Sequence, residues 1–210
     1  MSTPHASSYP HAYAPTDSAL NRTMWAIAIV WFALNAGLGL SGFLADHPAF
    51  NRAFALGAPI AFVVAFAVSP RVRAWGFALD TRTLVTAQTV RVGGIAFLAV
   101  YAVGQLDARF ALWAGVLDCA VGFSALFVGY YLTPTRTARQ RNLLIAWMVP
   151  GIVDFLVAIP LAAMARLEDP ASVSALTRPP LSMITAFLVP LALIDYFIIG
   201  AHLWRQRGRV

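Results

Sequence analysis

The sequence contains no lysine; all fifteen basic residues are arginine. That excludes a retinal Schiff base, which requires a lysine amine. There is one cysteine, Cys119, so an internal disulfide and a cysteine-cluster metal site are excluded, and a lone mid-helix cysteine reads as a small buried filler. Charge is also scarce. Only 11% of the 210 residues are charged and 60% are hydrophobic, against about 25% charged in a soluble domain. Several motifs are missing as well: the zinc-protease pattern HExxH, the GxSxG elbow, the P-loop and the Asp-rich prenyl-diphosphate motif. Gly115 to Asp118 reads GVLD, without the second glycine of the GxGD signature of intramembrane aspartyl proteases. Of the histidines only His202 falls within an apolar run, which leaves no bis-histidine pair for haem. No metal site and no cofactor is expected.

What the sequence does have is long apolar runs. Six are long enough to cross a bilayer, near Met24 to Leu44, Ala53 to Ser69, Leu84 to Gly104, Phe110 to Leu132, Leu143 to Ala165 and Leu181 to Trp204. A spanning segment must satisfy its own backbone amides, and the short alternating runs of a barrel are absent. The expected fold is therefore all-α, a bundle of six transmembrane helices forming one domain over 24–204. It is preceded by a disordered polar tail (1–23) and followed by a short basic tail (205–210). The leader carries an imperfect repeat, Pro4-His5-Ala6 and Pro10-His11-Ala12, and reads as disorder rather than a metal site.

Arginine sets the orientation. Ten arginines fall on the side of the termini: Arg22, Arg71, Arg73, Arg82, Arg136, Arg139, Arg141, Arg205, Arg207 and Arg209. The opposite loops hold Arg52, Arg109, Arg166 and Arg178, balanced by Asp46, Asp107, Glu168 and Asp169. The positive-inside rule then predicts cytoplasmic termini in a multi-pass inner-membrane protein. The net charge of +6 is on this reading a topology signal, and nucleic acid is not an expected partner. Trp25, Trp75, Tyr130, Tyr131, Trp147 and Trp204 near one interface, with Trp113 near the other, fit the same register.

Four charges lie inside the apolar runs: Arg91, Asp118, Asp154 and Asp195. Each costs roughly 3 kcal/mol at the bilayer centre on insertion scales, so such residues are rarely idle. Counting about 1.5 Å per residue from the nearest cytoplasmic end puts Arg91 roughly 13 Å deep and Asp195 roughly 15 Å. The same count puts Asp154 and Asn35 about 19 Å deep and Asp118 about 22 Å. The expectation is a polar ladder, with Arg91 paired to Asp195 by depth and Asp118 and Asp154 left as surplus acids. Surplus acids must be protonated, hydrated or bound to a cation, which suits proton or cation coupling. Small residues at helical spacing accompany them: Ala111, Gly115, Gly122, Ala125 and Gly129 around Asp118, and Gly39 and Gly42 after Asn35. Gln88, Arg91 and Tyr101 are placed on one face of the third run, and His202 one stripe nearer the cytoplasm than Asp195. Pro59, Pro150, Pro160 and Pro190 each free a backbone carbonyl that can bind a ligand or form a hinge.

Three functions fit these residues. The first is a small transporter or transporter subunit for a small solute or protons, with a polar core of Arg91, Asp118, Asp154, Asp195, Asn35, Gln88, Tyr101 and His202. The second is an intramembrane enzyme using Asp118 and Asp154 as acid and base. The third is a non-catalytic membrane partner or sensor, held together by internal ion pairs, with the basic loops or tail docking a partner. The expected partners are the lipid bilayer, a small solute or protons, and a second copy of the chain or another membrane subunit.

Overall fold

The computed structural model describes residues 18–207, which are all-helical, with no strand among them. Six helical segments are long and apolar enough to cross a membrane. The first is α1 (Ser18–Leu40). It begins six residues before the expected start at Met24 and stops short of Leu44, because Gly42 turns the chain at a φ of +81°. That conformation is open to glycine and strained for other residues. A short α2 (Phe43–Asp46) leads to α3 (Pro48–Val68), whose proline sits in the first turn, where its missing N–H breaks no bond. The interfacial α4 (Pro70–Ala78) is capped by the Ser69 hydroxyl, which accepts from the Val72 amide. Residues 1–17, including His5 and His11, and 208–210, including Arg209, lie outside the described residues.

The third span is not one regular helix. It starts as α5 (Thr81–Ala87), capped by Asp80, tightens into a 3-10 stretch from Gln88 to Gly94, and resumes as α6 (Ile95–Ala102). A 3-10 run of seven residues is long for its kind. It packs closely against α7 (Ala108–Leu132), the fourth span. A Cβ on Gly122 would meet the Val92 backbone N at 2.6 Å, and one on Gly115 would meet the Leu98 side chain at 2.6 Å. Backbones this close are what small residues permit in lipid, where apolar contact alone gives helices little reason to associate.

The fifth span, α8 (Ala138–Glu168), keeps Pro150 and Pro160 inside one 31-residue helix. A 3-10 stretch, Pro170–Thr177, and α9 (Leu181–Met183) follow. The sixth span then widens into π-helical geometry over Ile184–Leu188 before α10 (Val189–Arg205). Pro190 cannot donate to the carbonyl four residues back, and a π turn absorbs that lost bond.

Burial ranks the spans. Of the most apolar stretch, 11% is buried in α1 and in α3, against 39% in α7 and in the sixth span, Leu181–Arg205. Two apolar clusters fill the interior. One joins Phe97, Phe110, Ala114, Ala158, Leu176 and Ile184. The other joins Leu84, Val85, Leu144, Met148, Ile199 and Leu203. The intramembrane charges lie between them.

Candidate polar core and cavity

Arg91 is the centre of the site. It is 5% exposed, and its guanidinium reaches three other spans. Nε donates to Asp118 Oδ1 at 2.6 Å, and Nη2 donates to Asp154 Oδ2. Nη1 donates to the Gly151 carbonyl at 3.2 Å and to the Tyr196 hydroxyl at 3.1 Å. The Phe155 ring covers the cation, with its centroid 4.3 Å from Cζ, a cation–π contact. Four of the five guanidinium N–H donors are thus used.

This overturns the pairing expected from depth. Asp195 is not the partner of Arg91 and makes no hydrogen bond or ion pair among the described residues. Both supposed surplus acids hold the arginine instead. The 3-10 stretch, at about 2.0 Å per residue, carries Arg91 only about 2 Å deeper, so the expectation fails not on depth but because depth does not say which helix faces meet. Packing also levels the two helices: a Cβ on Gly94 would touch the Asp118 Cβ at 2.4 Å, so Asp118 lies three residues above Arg91, within an arginine's reach. The charges form a layer, not a ladder.

The other expected core residues divide. Gln88, fully buried, donates to the Ala192 carbonyl at 3.3 Å, while its Oε1 has no partner. Asn35 is fully buried on α1 and donates to the Trp31 carbonyl at 2.9 Å, apart from the arginine cluster. His202 sits by the α4 end, its Nε2 3.1 Å from the Gly76 carbonyl. Tyr101 is 37% exposed and leaves the core. Tyr196 and Gly151 were missed, although Tyr196 adjoins Asp195, where a hydroxyl beside a buried acid was a readable signal.

Asp118 and Asp154 also border a cavity of about 430 Å³. Alanines widen it: Ala55, Ala114, Ala158, Ala162 and Ala163 line its walls with Phe97, Phe110 and Phe155. It reaches the surface between α3 and α8 beside Arg52, Leu56, Ile159 and Leu167, all of them exposed. A second void of about 10 Å³ adjoins Arg91 between Gly94, Ile184, Leu188 and Ala192, at the lower limit for one water. Beyond it the cluster of Leu84, Leu144, Met148 and Leu203 closes the interior. One Asp154 oxygen, Oδ1, is buried without a hydrogen-bond partner. No group of three or more metal-ligating side chains occurs among the described residues.

A family model matches residues 48–203, which takes in spans two to six and every site residue named above except Asn35. No curated protein and no solved structure matches the chain. The chain belongs to the family described as "Domain of unknown function (DUF8737)".

Proposed function

We propose that this chain is a small multi-pass inner-membrane transporter or transporter subunit that admits a small solute, or protons, to the Arg91–Asp118–Asp154 cluster. One observation carries the reading. Both carboxylates line a cavity open to the surface on one side, while the route on the other side is packed with apolar side chains. That is the arrangement of a site exposed to one face of a membrane at a time.

The charge count supports it. One guanidinium balances one carboxylate, and a second carboxylate at the same depth invites a proton or a cation. The 3-10 stretch beside Arg91 and the π turn before Pro190 are the irregular segments on which a reorientation can hinge. With both termini cytoplasmic, as the arginine distribution suggests, the cavity faces outward. The partners are the lipid bilayer and a copy of the chain or another membrane subunit.

The experiment is flux of protons and small solutes into proteoliposomes, comparing the native chain with Asp118→Asn and Asp154→Asn. Loss of one flux in a folded variant is expected. If both variants fold and every flux is unchanged, transport through this cluster is refuted. Single cysteines placed near Arg139 and near Arg178, in a Cys119→Ser background, test orientation. Only the second should react with an impermeant thiol reagent added outside cells.

A second reading has its own support. Four of the five Arg91 donors are already satisfied within the protein, as in a purely structural tie of a membrane partner protein. It requires the Asp154→Asn variant to lose stability and nothing else.

A further inference from the structure

We infer that the cavity takes an anionic amphiphile from the bilayer, a single alkyl chain with a carboxylate or phosphate head, held at its rim by Arg52 and Arg166. The inference rests on the cavity being a binding site, as proposed above, and names what it binds.

The rim is the first ground. Arg52 and Arg166 both line the mouth, on α3 and α8, and bring two positive charges to one opening. Neither forms an ion pair or side-chain hydrogen bond among the described residues. The nearby end of the molecule shows the contrast: Arg109 is matched by Glu168 and Asp107. Two like charges held together without a carboxylate are relieved by an anion, and guanidinium forks suit carboxylate and phosphate oxygens. Arginines that only anchored the helices in headgroups would have no reason to converge on one opening.

The walls are the second ground. Below the rim most of the lining is apolar, with Leu56, Phe97, Phe155, Ala158, Ile159 and Ala162, and its polar groups (Asn51, Thr185, Asp118 and Asp154) are few, a surface that suits hydrocarbon better than a sugar. At about 30 Å³ per water-sized group, the volume of 430 Å³ holds about fourteen such groups. That matches one chain of the size of dodecanoate. The opening lies between two helices whose outer faces are apolar, with Ile60 on α3 63% and Leu156 on α8 67% exposed. A chain can enter sideways from the bilayer with its head at interfacial depth.

The test uses the full chain in proteoliposomes at alkaline pH, with a chain-spin-labelled fatty acid as probe and the protein-immobilised fraction read by EPR. Unlabelled dodecanoate and dodecanol compete. The native protein should prefer the acid by about tenfold, the ratio that 1.4 kcal/mol of charge complementarity gives. The variant Arg52→Gln/Arg166→Gln should lose that preference while binding the alcohol unchanged. Arg109→Gln, which removes an outer arginine that is already paired, should behave as native. Ala162→Trp, which fills the cavity, should lose both ligands.

Equal binding of acid and alcohol to the native chain, or a preference that survives Arg52→Gln/Arg166→Gln, overturns the inference. In that event loss of the alcohol in Ala162→Trp leaves the cavity standing as a binding site for another ligand. If Ala162→Trp, folded as judged by its melting temperature, binds both probes as before, the cavity reading fails as well.

Discussion

Adding one methyl group at Gly151 should break the polar layer. A Cβ there would stand 1.9 Å from the Tyr196 hydroxyl oxygen, 2.7 Å from its Cζ and 2.9 Å from Arg91 Nη1. Tyr196 must retreat by about 1.5 Å to reach ordinary contact at 3.4 Å. Its hydrogen bond from Arg91 at 3.1 Å then breaks, and the bond from Arg91 to the Gly151 carbonyl at 3.2 Å is crowded. Overpacking costs about 1–3 kcal/mol, and a lost hydrogen bond to a charged group about 1.5–3 more. Alanine returns about 1 kcal/mol through helix propensity. The net for Gly151→Ala is destabilisation by about 1.5–5 kcal/mol. At roughly 2–4 °C per kcal/mol for a chain of this size, the melting temperature should fall by roughly 3–20 °C.

The readout is thermal unfolding in detergent, followed by size-exclusion fluorescence. Gly57→Ala is the control: a Cβ there meets nothing within 4 Å, so it should be neutral or stabilising by up to about 1 kcal/mol. Tyr196→Phe alone should cost about 1.5–3 kcal/mol through the lost bond to Arg91. In the double variant the 1.9 Å clash no longer exists, because the oxygen is gone, and a ring edge at 2.7 Å can tilt away. The double should therefore be less destabilised than the sum of the singles by about 1 kcal/mol or more. A Gly151→Ala protein that melts with the native, or a strictly additive cycle, would refute the packing of Tyr196 and Arg91 against α8.

Arg91→Met should destabilise by about 3–5 kcal/mol, because it strands two carboxylates in an apolar interior, whereas Arg91→Met/Asp118→Leu/Asp154→Leu should recover most of that loss in the same melting assay. Asp107→Ala removes the side chain that accepts from the Phe110 amide at 3.0 Å at the start of α7. It should cost about 1 kcal/mol, and Asp107→Asn much less.

The six spans were legible because a bilayer demands about twenty apolar residues in a row, a signal that survives any error in packing. Their ends were less so. The apolar run continues through Gly42 to Leu44, but the chain turns there. At the other extreme α8 runs on to Glu168, beyond its apolar part. The Arg91–Asp195 pairing failed for a more instructive reason. Equal depth places two residues at one level and says nothing about whether their faces meet. The residue types that decide this were in view: Gly115, Gly122 and Gly129 flank Asp118 at helical spacing, and that glycine face presses on the span holding Arg91. Asp118 had to meet the arginine, since it lies in the strip of closest approach. Arg52 and Arg166 were legible only as charges in outer loops. Their convergence on one opening depends on alanines from several helices leaving a gap, which no single helix pattern records.

The two carboxylates that share Arg91 are not equivalent, and the difference separates a structural tie from a working group. Asp118 is clamped: its Cβ lies under Gly94, and its Oδ1 holds the arginine Nε at 2.6 Å. Removing its charge should loosen the contact between the 3-10 stretch and α7 before it alters any ligand. Asp154 gives one oxygen to Nη2 and keeps the other buried and unpartnered while its residue borders the cavity. An unsatisfied carboxylate oxygen costs about 1–3 kcal/mol, and a fold that needed only a tie between helices would be more stable with one acid than with two. The second acid is kept at that cost beside a cavity large enough to bring it a partner. In the flux comparison the variants should therefore part, Asp118→Asn failing first in stability and Asp154→Asn first in function.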